Sequence, residues 1–203
     1  MNRWTAIVDY GVGNLKSIAN ALGYLGLSSE ITGQPDGLER ADALILPGVG
    51  AFPDAADKLR QTGLDKAVLA QAEKKPVLGI CLGMQLLFDE GEEVRPCQGL
   101  GLVSGTVRKI ATELKLPHIG WNSLTFPTPS PLFKGVEPGS YVYFVHTFCA
   151  LPARPGDVLA VTDYGGPVTA AVGRGNIYGC QFHPEKSGET GLQILRNFGE
   201  LNK

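Results

Sequence analysis

One cysteine of this chain stands between two glycines, in Gly79-Ile80-Cys81-Leu82-Gly83. The order is glycine, any residue, nucleophile, any residue, glycine, with a thiol where a hydrolase elbow carries serine. It lies between an apolar run ending at Ile80 and a stretch of helical spacing from Leu82, the strand-to-helix context that such a motif requires. A turn that tight strains the nucleophile's backbone and leaves no room for side chains at the flanking positions. The following helix points its N-terminus at the sulfur, which favours thiolate over thiol. The pattern predicts a nucleophilic cysteine; the competing reading is a buried structural one, since free cysteine packs as a small hydrophobe.

A thiolate nucleophile needs a base, and the chain has 3 histidines. His183 lies in Gln181-Phe182-His183-Pro184-Glu185. Proline favours an extended backbone before it, and a carboxylate two positions on can then share the side of the imidazole. Glu185 is thereby a candidate to orient the ring, completing a triad, against the alternative of a turn histidine beside a solvated acid. His146, inside Phe144-Val145-His146-Thr147-Phe148, reads as a hydrogen-bonded strand histidine. His118, in Pro117-His118-Ile119-Gly120, has no acid near it in sequence and reads as a surface or interface residue. Acyl transfer also needs donors for the developing oxyanion. Val49 and Gly50 of the loop Pro47-Gly48-Val49-Gly50 offer backbone N–H groups after a predicted strand, as does Leu82; an ordinary turn between strand and helix is the alternative there. Gly11-Val12-Gly13-Asn14-Leu15-Lys16 lacks the third glycine of a dinucleotide fingerprint. Metal-ligand spacings are absent as well, so neither a metal nor another cofactor is expected.

The elements that must position these groups follow from patterning. At 203 residues, 43% hydrophobic and 19% charged, the chain suits one domain, 1–203, with a sizeable core. Its net charge of -2 comes from mixed acids and bases, with no basic stripe for nucleic acid or anionic lipid. No apolar stretch approaches the roughly 20 residues of a membrane helix. Met1-Asn2-Arg3-Trp4 leads into a short mixed strand rather than a secretory leader, so a cytoplasmic location is expected. The 4 cysteines, Cys81, Cys97, Cys149 and Cys180, match neither a zinc pattern nor a disulfide framework and are read as free thiols.

The first half alternates short apolar runs with helical stretches, which predicts an α/β fold with a mostly parallel central sheet flanked by helices. Strands are expected at 5–9, 43–46 and 76–80, and helices at 14–25, 54–73 (interrupted at Gly63) and 82–89. After about Gly99 the texture changes to short β-like runs broken by Gly and Pro, at 141–149, 158–162, 168–172 and 177–182. These predict antiparallel strands added in the second half, before a closing helix at 191–201.

Gly79-Ile80-Cys81-Leu82-Gly83-Met84-Gln85 and Phe182-His183-Pro184-Glu185, in that order, resemble the two signatures of class I glutamine amidotransferases. Within the class, the chain is similar to the glutaminase subunits of imidazole glycerol phosphate synthases. That likeness is carried by Asp9-Tyr10-Gly11-Val12-Gly13-Asn14, Leu46-Pro47-Gly48-Val49-Gly50, Pro117-His118-Ile119-Gly120-Trp121-Asn122, Tyr143-Phe144-Val145-His146 and His183-Pro184-Glu185-Lys186-Ser187. It spans nearly the whole chain.

The resemblance implies hydrolysis of glutamine to glutamate, with ammonia passed to a separate cyclase subunit in a heterodimer of histidine biosynthesis. It implies that Gln85 and Glu93 hold the glutamine, with Glu90 and Glu92 as neighbouring acids that leave the choice open. The 47–50 loop would form the oxyanion hole, its Val49 peptide reorienting before it donates. Asn14, His118, Trp121, Asn122, Tyr143 and Lys186 would face the cyclase or line the ammonia route. Three other readings stay open on the residues alone: a glutaminase subunit for chorismate amination, a stand-alone cysteine amidohydrolase, and a binding protein that kept the fold without turnover.

Overall fold

The computed structural model describes residues 3–201. Met1 and Asn2, from which part of the leader reading was drawn, lie outside the described residues. The first half runs β1 (Trp4–Val8), α1 (Leu15–Tyr24), β2 (Ser28–Thr32), α2 (Pro35–Arg40), β3 (Ala43–Leu46), α3 (Phe52–Gln61), α4 (Leu64–Ala72), β4 (Val77–Ile80) and α5 (Leu82–Leu86). The second half adds β5 (Phe88–Gly91), β6 (Cys97–Gln98), β7 (Val103–Lys109), β8 (His118–Ser123), β9 (Tyr141–His146) and β10 (Phe148–Pro152). It closes with β11 (Val158–Asp163), β12 (Pro167–Arg174), β13 (Ile177–Cys180) and α6 (Gly188–Glu200).

The central sheet has the order β11-β12-β13-β4-β3-β1-β2. From β2 to β13 every pairing is parallel, and β12 and β11 extend that edge in antiparallel fashion. Strands covered on both faces read as continuous apolar runs, and β3 (ALIL) and β4 (VLGI) are buried at every position. Successive side chains then feed opposite layers. Ile7, Ile45 and Leu78 pack with Ile18 of α1 and Ile194 and Phe198 of α6, whereas Val8, Leu44 and Leu46 pack with Phe52 and Leu59 of α3 and Val68 of α4. A four-stranded sheet of order β10-β7-β5-β6 and the antiparallel pair β8-β9 lie apart from the central sheet.

The stretch 54–73 is interrupted at Gly63 as expected: with φ of 73°, Gly63 parts α3 from α4 and caps the latter. Three expectations are corrected. The helix expected to reach Asp89 ends at Leu86, because the buried run through Phe88 crosses to the second sheet, where β5 pairs with β7. The run 141–149 is two strands on different sheets, parting at Thr147. The run 177–182 is not simply an added antiparallel strand: β13 lies parallel beside β4, with Cys180 opposite Ile80. That pairing brings the two sequence motifs to the same edge, at the carboxyl ends of parallel strands, where ligands of open α/β sheets bind.

Candidate active site

Cys81 sits at φ 56° and ψ −113°, and with Val94 it is one of two non-glycine residues at positive φ among the described residues. Such a conformation costs about 1–3 kcal/mol and persists only where the surroundings enforce it. They do so here by close backbone approach. A Cβ added at Gly79 would stand 2.6 Å from the Gly83 carbonyl oxygen, one at Gly48 would stand 2.8 Å from the Gly83 nitrogen, and one at Gly83 would run into the Leu46 carbonyl. The glycines thus let the ends of β3 and β4 and the start of α5 meet around the thiol. The Cys81 N–H donates to the Cys180 carbonyl at 2.7 Å, tying the elbow to β13.

His183 lies just past the end of β13, after Gln181 and Phe182. Its Nδ1 lies 2.8 Å from Glu185 Oε1, and the two side chains are 4% and 1% exposed. A carboxylate oxygen accepts, so Nδ1–H donates and Nε2 is left for the cavity, where it has no protein partner. The backbone here is fixed from β9: the Tyr143 carbonyl accepts from the His183 N–H at 3.0 Å, and the Tyr143 N–H donates to Ser187 Oγ, which donates to the His183 carbonyl. Burial of the ring opposes its charge. Cys81 and Glu185 outweigh that effect and raise the imidazole to about 9.

Cys81 and His183 face one cavity of about 320 Å³, and Val49, Gly50, Leu82, Gln85 and Glu93 line it too. Of the three neighbouring acids, only Glu93 does so; Glu92 is paired with Arg108 at 3.0 Å and Glu90 is exposed in β5. Glu93 Oε2 accepts the Phe52 N–H at 2.8 Å at the start of α3, leaving its other oxygen for a ligand cation. The Gln85 amide nitrogen donates to the Phe148 carbonyl and to Gln181 Oε1, each at 3.0 Å, which leaves Oε1 as an acceptor for the same cation. Two of the oxyanion candidates, Val49 and Gly50, lie on a span held at both ends, and the third, Leu82, opens α5. Tyr10 Oη donates to the Pro47 carbonyl at 2.7 Å, Glu93 holds Phe52, and Val49 between them is 44% exposed.

The remaining sequence candidates scatter more widely. Trp121 is exposed on β8, with Tyr143 of β9 beside it in an edge contact at 6.1 Å. Asn14 is half-buried before α1, and Lys186 is exposed in the turn after His183. Asn122 bonds His118 Nε2 at 2.8 Å and the Asp163 carbonyl at 2.9 Å. His118 itself is no surface residue: it is fully buried, stacked on Phe144 and Tyr164, and its Nδ1 bonds His146 at 3.0 Å. Burial lowers its basicity, with the Asn122 bond opposing. His146 has the satisfied strand environment expected of it, donating from Nδ1 to the Phe148 carbonyl at 2.8 Å, and burial is the largest cause of its fall to about 4. Sequence reasoning missed three groups here: Tyr10, Gln181, and the cavity wall of Pro117 with 145–148. Gln181 sat inside the motif that revealed His183, but its partners are distant in sequence.

Two of the other thiols, Cys149 and Cys180, are ill suited to nucleophilic work. Burial pushes Cys149 up to about 11 and Cys180 higher still.

Residues 6–201 match the family model described as glutamine amidotransferase class-I. The chain is 48% identical over 198 residues to the imidazole glycerol phosphate synthase subunit HisH of Caldanaerobacter subterraneus subsp. tengcongensis, covering 97% of this chain and 98% of that protein. It is 48% identical over 195 residues to the subunit of the same name from Bacillus thuringiensis (strain Al Hakam), covering 95% and 92%. In fold it is similar to the structure titled PurLQS from Thermotoga maritima, with a TM-score of 0.80, 22% identity and full coverage of both chains.

Proposed function

The chain belongs to the class I glutamine amidotransferases, and from that premise we propose how its residues divide the work of an imidazole glycerol phosphate synthase glutaminase subunit. The observation that carries the reading is the convergence of Cys81 and the buried His183–Glu185 pair on a cavity that also holds Gln85 and Glu93. The Cys81 thiolate adds to the side-chain carbonyl carbon of glutamine. The resulting oxyanion is met by N–H groups of Leu82 and of the Val49–Gly50 loop, the Val49 peptide reorienting to donate. Collapse breaks the C–N bond as His183 Nε2 gives its proton to the leaving nitrogen, so ammonia departs and a glutamyl thioester remains. Water then gives a proton to Nε2 and attacks the thioester, the C–S bond breaks, and glutamate and the thiolate are released. Glu185 holds the imidazole tautomer throughout. Gln85 Oε1 and the free oxygen of Glu93 bind the substrate ammonium.

The ammonia serves a cyclase subunit in a heterodimer of histidine biosynthesis, in the cytoplasm. The exposed Ile119, Trp121 and Tyr141 of the β8-β9 pair, with Asn14, Tyr143 and Lys186 also outside the core, suit a face that docks that subunit. Among the described residues no helix is long and apolar enough to cross a membrane. Glutamate release by the purified chain is expected to be slow alone and to rise steeply with the cyclase and its nucleotide ligand. Full activity without a partner points instead to a stand-alone hydrolase.

Three further outcomes are expected. Because His183 must carry a proton to release ammonia, kcat/KM for glutamine should fall as pH rises through about 9, read from an initial-rate profile. The raised imidazole also links to stability: its contribution is complete below about 6.5 and is lost as pH rises through about 9. Glu93→Ala removes the ammonium partner and frees the Phe52 N–H. KM for glutamine should rise about tenfold or more, consistent with loss of a charge-assisted contact of about 1.5–3 kcal/mol, and steady-state kinetics check it.

A further inference from the structure

Gln181 is completely buried and has a side-chain partner at each end of its amide. Oε1 accepts from Gln85 Nε2 at 3.0 Å, and Nε2 lies 3.8 Å from Cys81 Sγ. Its orientation follows from a fixed start. The Phe148 carbonyl can only accept, so the Gln85 amide must turn its nitrogen that way; the same nitrogen then donates to Gln181, which must present its oxygen there. The Gln181 nitrogen is therefore left facing the sulfur. A donor aimed at sulfur favours thiolate over thiol, since only the anion is a strong acceptor. The opposite influence comes from the Val145 carbonyl, an acceptor for the thiol proton at 4.0 Å.

We infer that Gln181 is a positioning residue for the nucleophile: its amide N–H holds the Cys81 thiolate in place and links the sulfur to Gln85 at the substrate's other end. The inference rests on Cys81 being the nucleophile. Glutamine ammonium held on Gln85 Oε1 and the attacking sulfur thus share one hydrogen-bonded chain, Phe148 carbonyl to Gln85 to Gln181 to Cys81. A glutamine serving only as buried packing would have no reason to meet the reactive atom.

The test is alkylation of Cys81 by iodoacetamide in the full chain, followed across pH by peptide mass mapping. Q181M keeps the volume and removes the donor. Alkylation at neutral pH should slow about tenfold and its pH profile should move to higher pH, the size expected for loss of one bond to a charged acceptor. Q181E keeps both shape and an acceptor for Gln85 but turns an oxygen toward the sulfur, and should slow alkylation at least as much. A purely structural glutamine predicts lowered melting temperatures with an unchanged alkylation profile in both variants, and that result overturns the inference. Glutamine turnover by C81A in parallel separates the two claims. If C81A is inactive and the alkylation profiles do not move, only the role of Gln181 falls; if C81A stays active, the nucleophile assignment falls.

Discussion

Replacing Cys81 by alanine lowers glutamine hydrolysis by at least about a thousandfold, because Cys81 is the thiol that lines the cavity beside His183. The other thiols do not line that cavity, and burial raises Cys149 and Cys180. Alanine keeps a Cβ at the same positive φ, so the elbow neither gains nor loses strain and the melting temperature should barely move. Association with the cyclase should survive too, since Cys81 is buried in the cavity wall and not exposed on the surface. Loss of turnover with fold and association intact is thus the expected signature, measured as glutamate release, thermal unfolding and co-elution. Retained turnover would contradict the assignment of the nucleophile.

Gly83→Ala should be the most damaging single methyl in the site. Its Cβ would be driven into the Leu46 carbonyl at the end of β3, and the Pro47 carbonyl carbon lies only 3.1 Å away. Both are backbone, so no rotamer change relieves the clash; α5 or the loop at 47–50 must move. Overpacking in cores costs about 1–3 kcal/mol and more when backbone must shift, so a loss of about 3 kcal/mol or more is expected. For a chain of this length that corresponds to about 6–12 °C in Tm. Activity should fall with it, because Leu82 and the loop are the groups proposed to donate to the oxyanion. Gly23→Ala provides the contrast. Gly23 lies exposed in α1 with nothing within 4 Å of the added Cβ, and alanine there should stabilise by about 0.5–1 kcal/mol. Thermal melts of the two variants should therefore move in opposite directions.

The local rules reached some of this site and stopped at others for physical reasons. Glycines around a cysteine announce the elbow because close backbone approach leaves no other residue possible, and Gly79 and Gly83 are indeed where a Cβ would collide. The pairing of Glu185 with His183 was readable, and the two meet at 2.8 Å, but the route differs from the extended chain expected: His183 is extended and Pro184–Lys186 is a 3-10 turn that carries Glu185 back to the ring. By contrast, the parallel pairing of β13 with β4 is a non-local choice, and an apolar run of four residues carries no mark of its partner. The strand Ser28–Thr32 escaped detection because, at the sheet edge, it is mostly exposed and polar. His118 looked like a surface residue because no acid lies near it in sequence. Its partners are aromatic rings and His146 across the β8-β9 register, which only pairing brings opposite. Tyr10 and Gln181 were invisible for the same reason: each acts on a group contributed by another strand end.

The central claim is that Cys81 carries the acyl group during turnover, and the direct measurement is acid quenching of the complex while it hydrolyses glutamine, followed by peptide mass mapping. The account predicts an adduct on the peptide containing Cys81 with the mass of glutamine less ammonia, lost on treatment with hydroxylamine and absent when Cys81 is alanine. Continued turnover with no adduct on that peptide, or with the adduct on another residue, would contradict it.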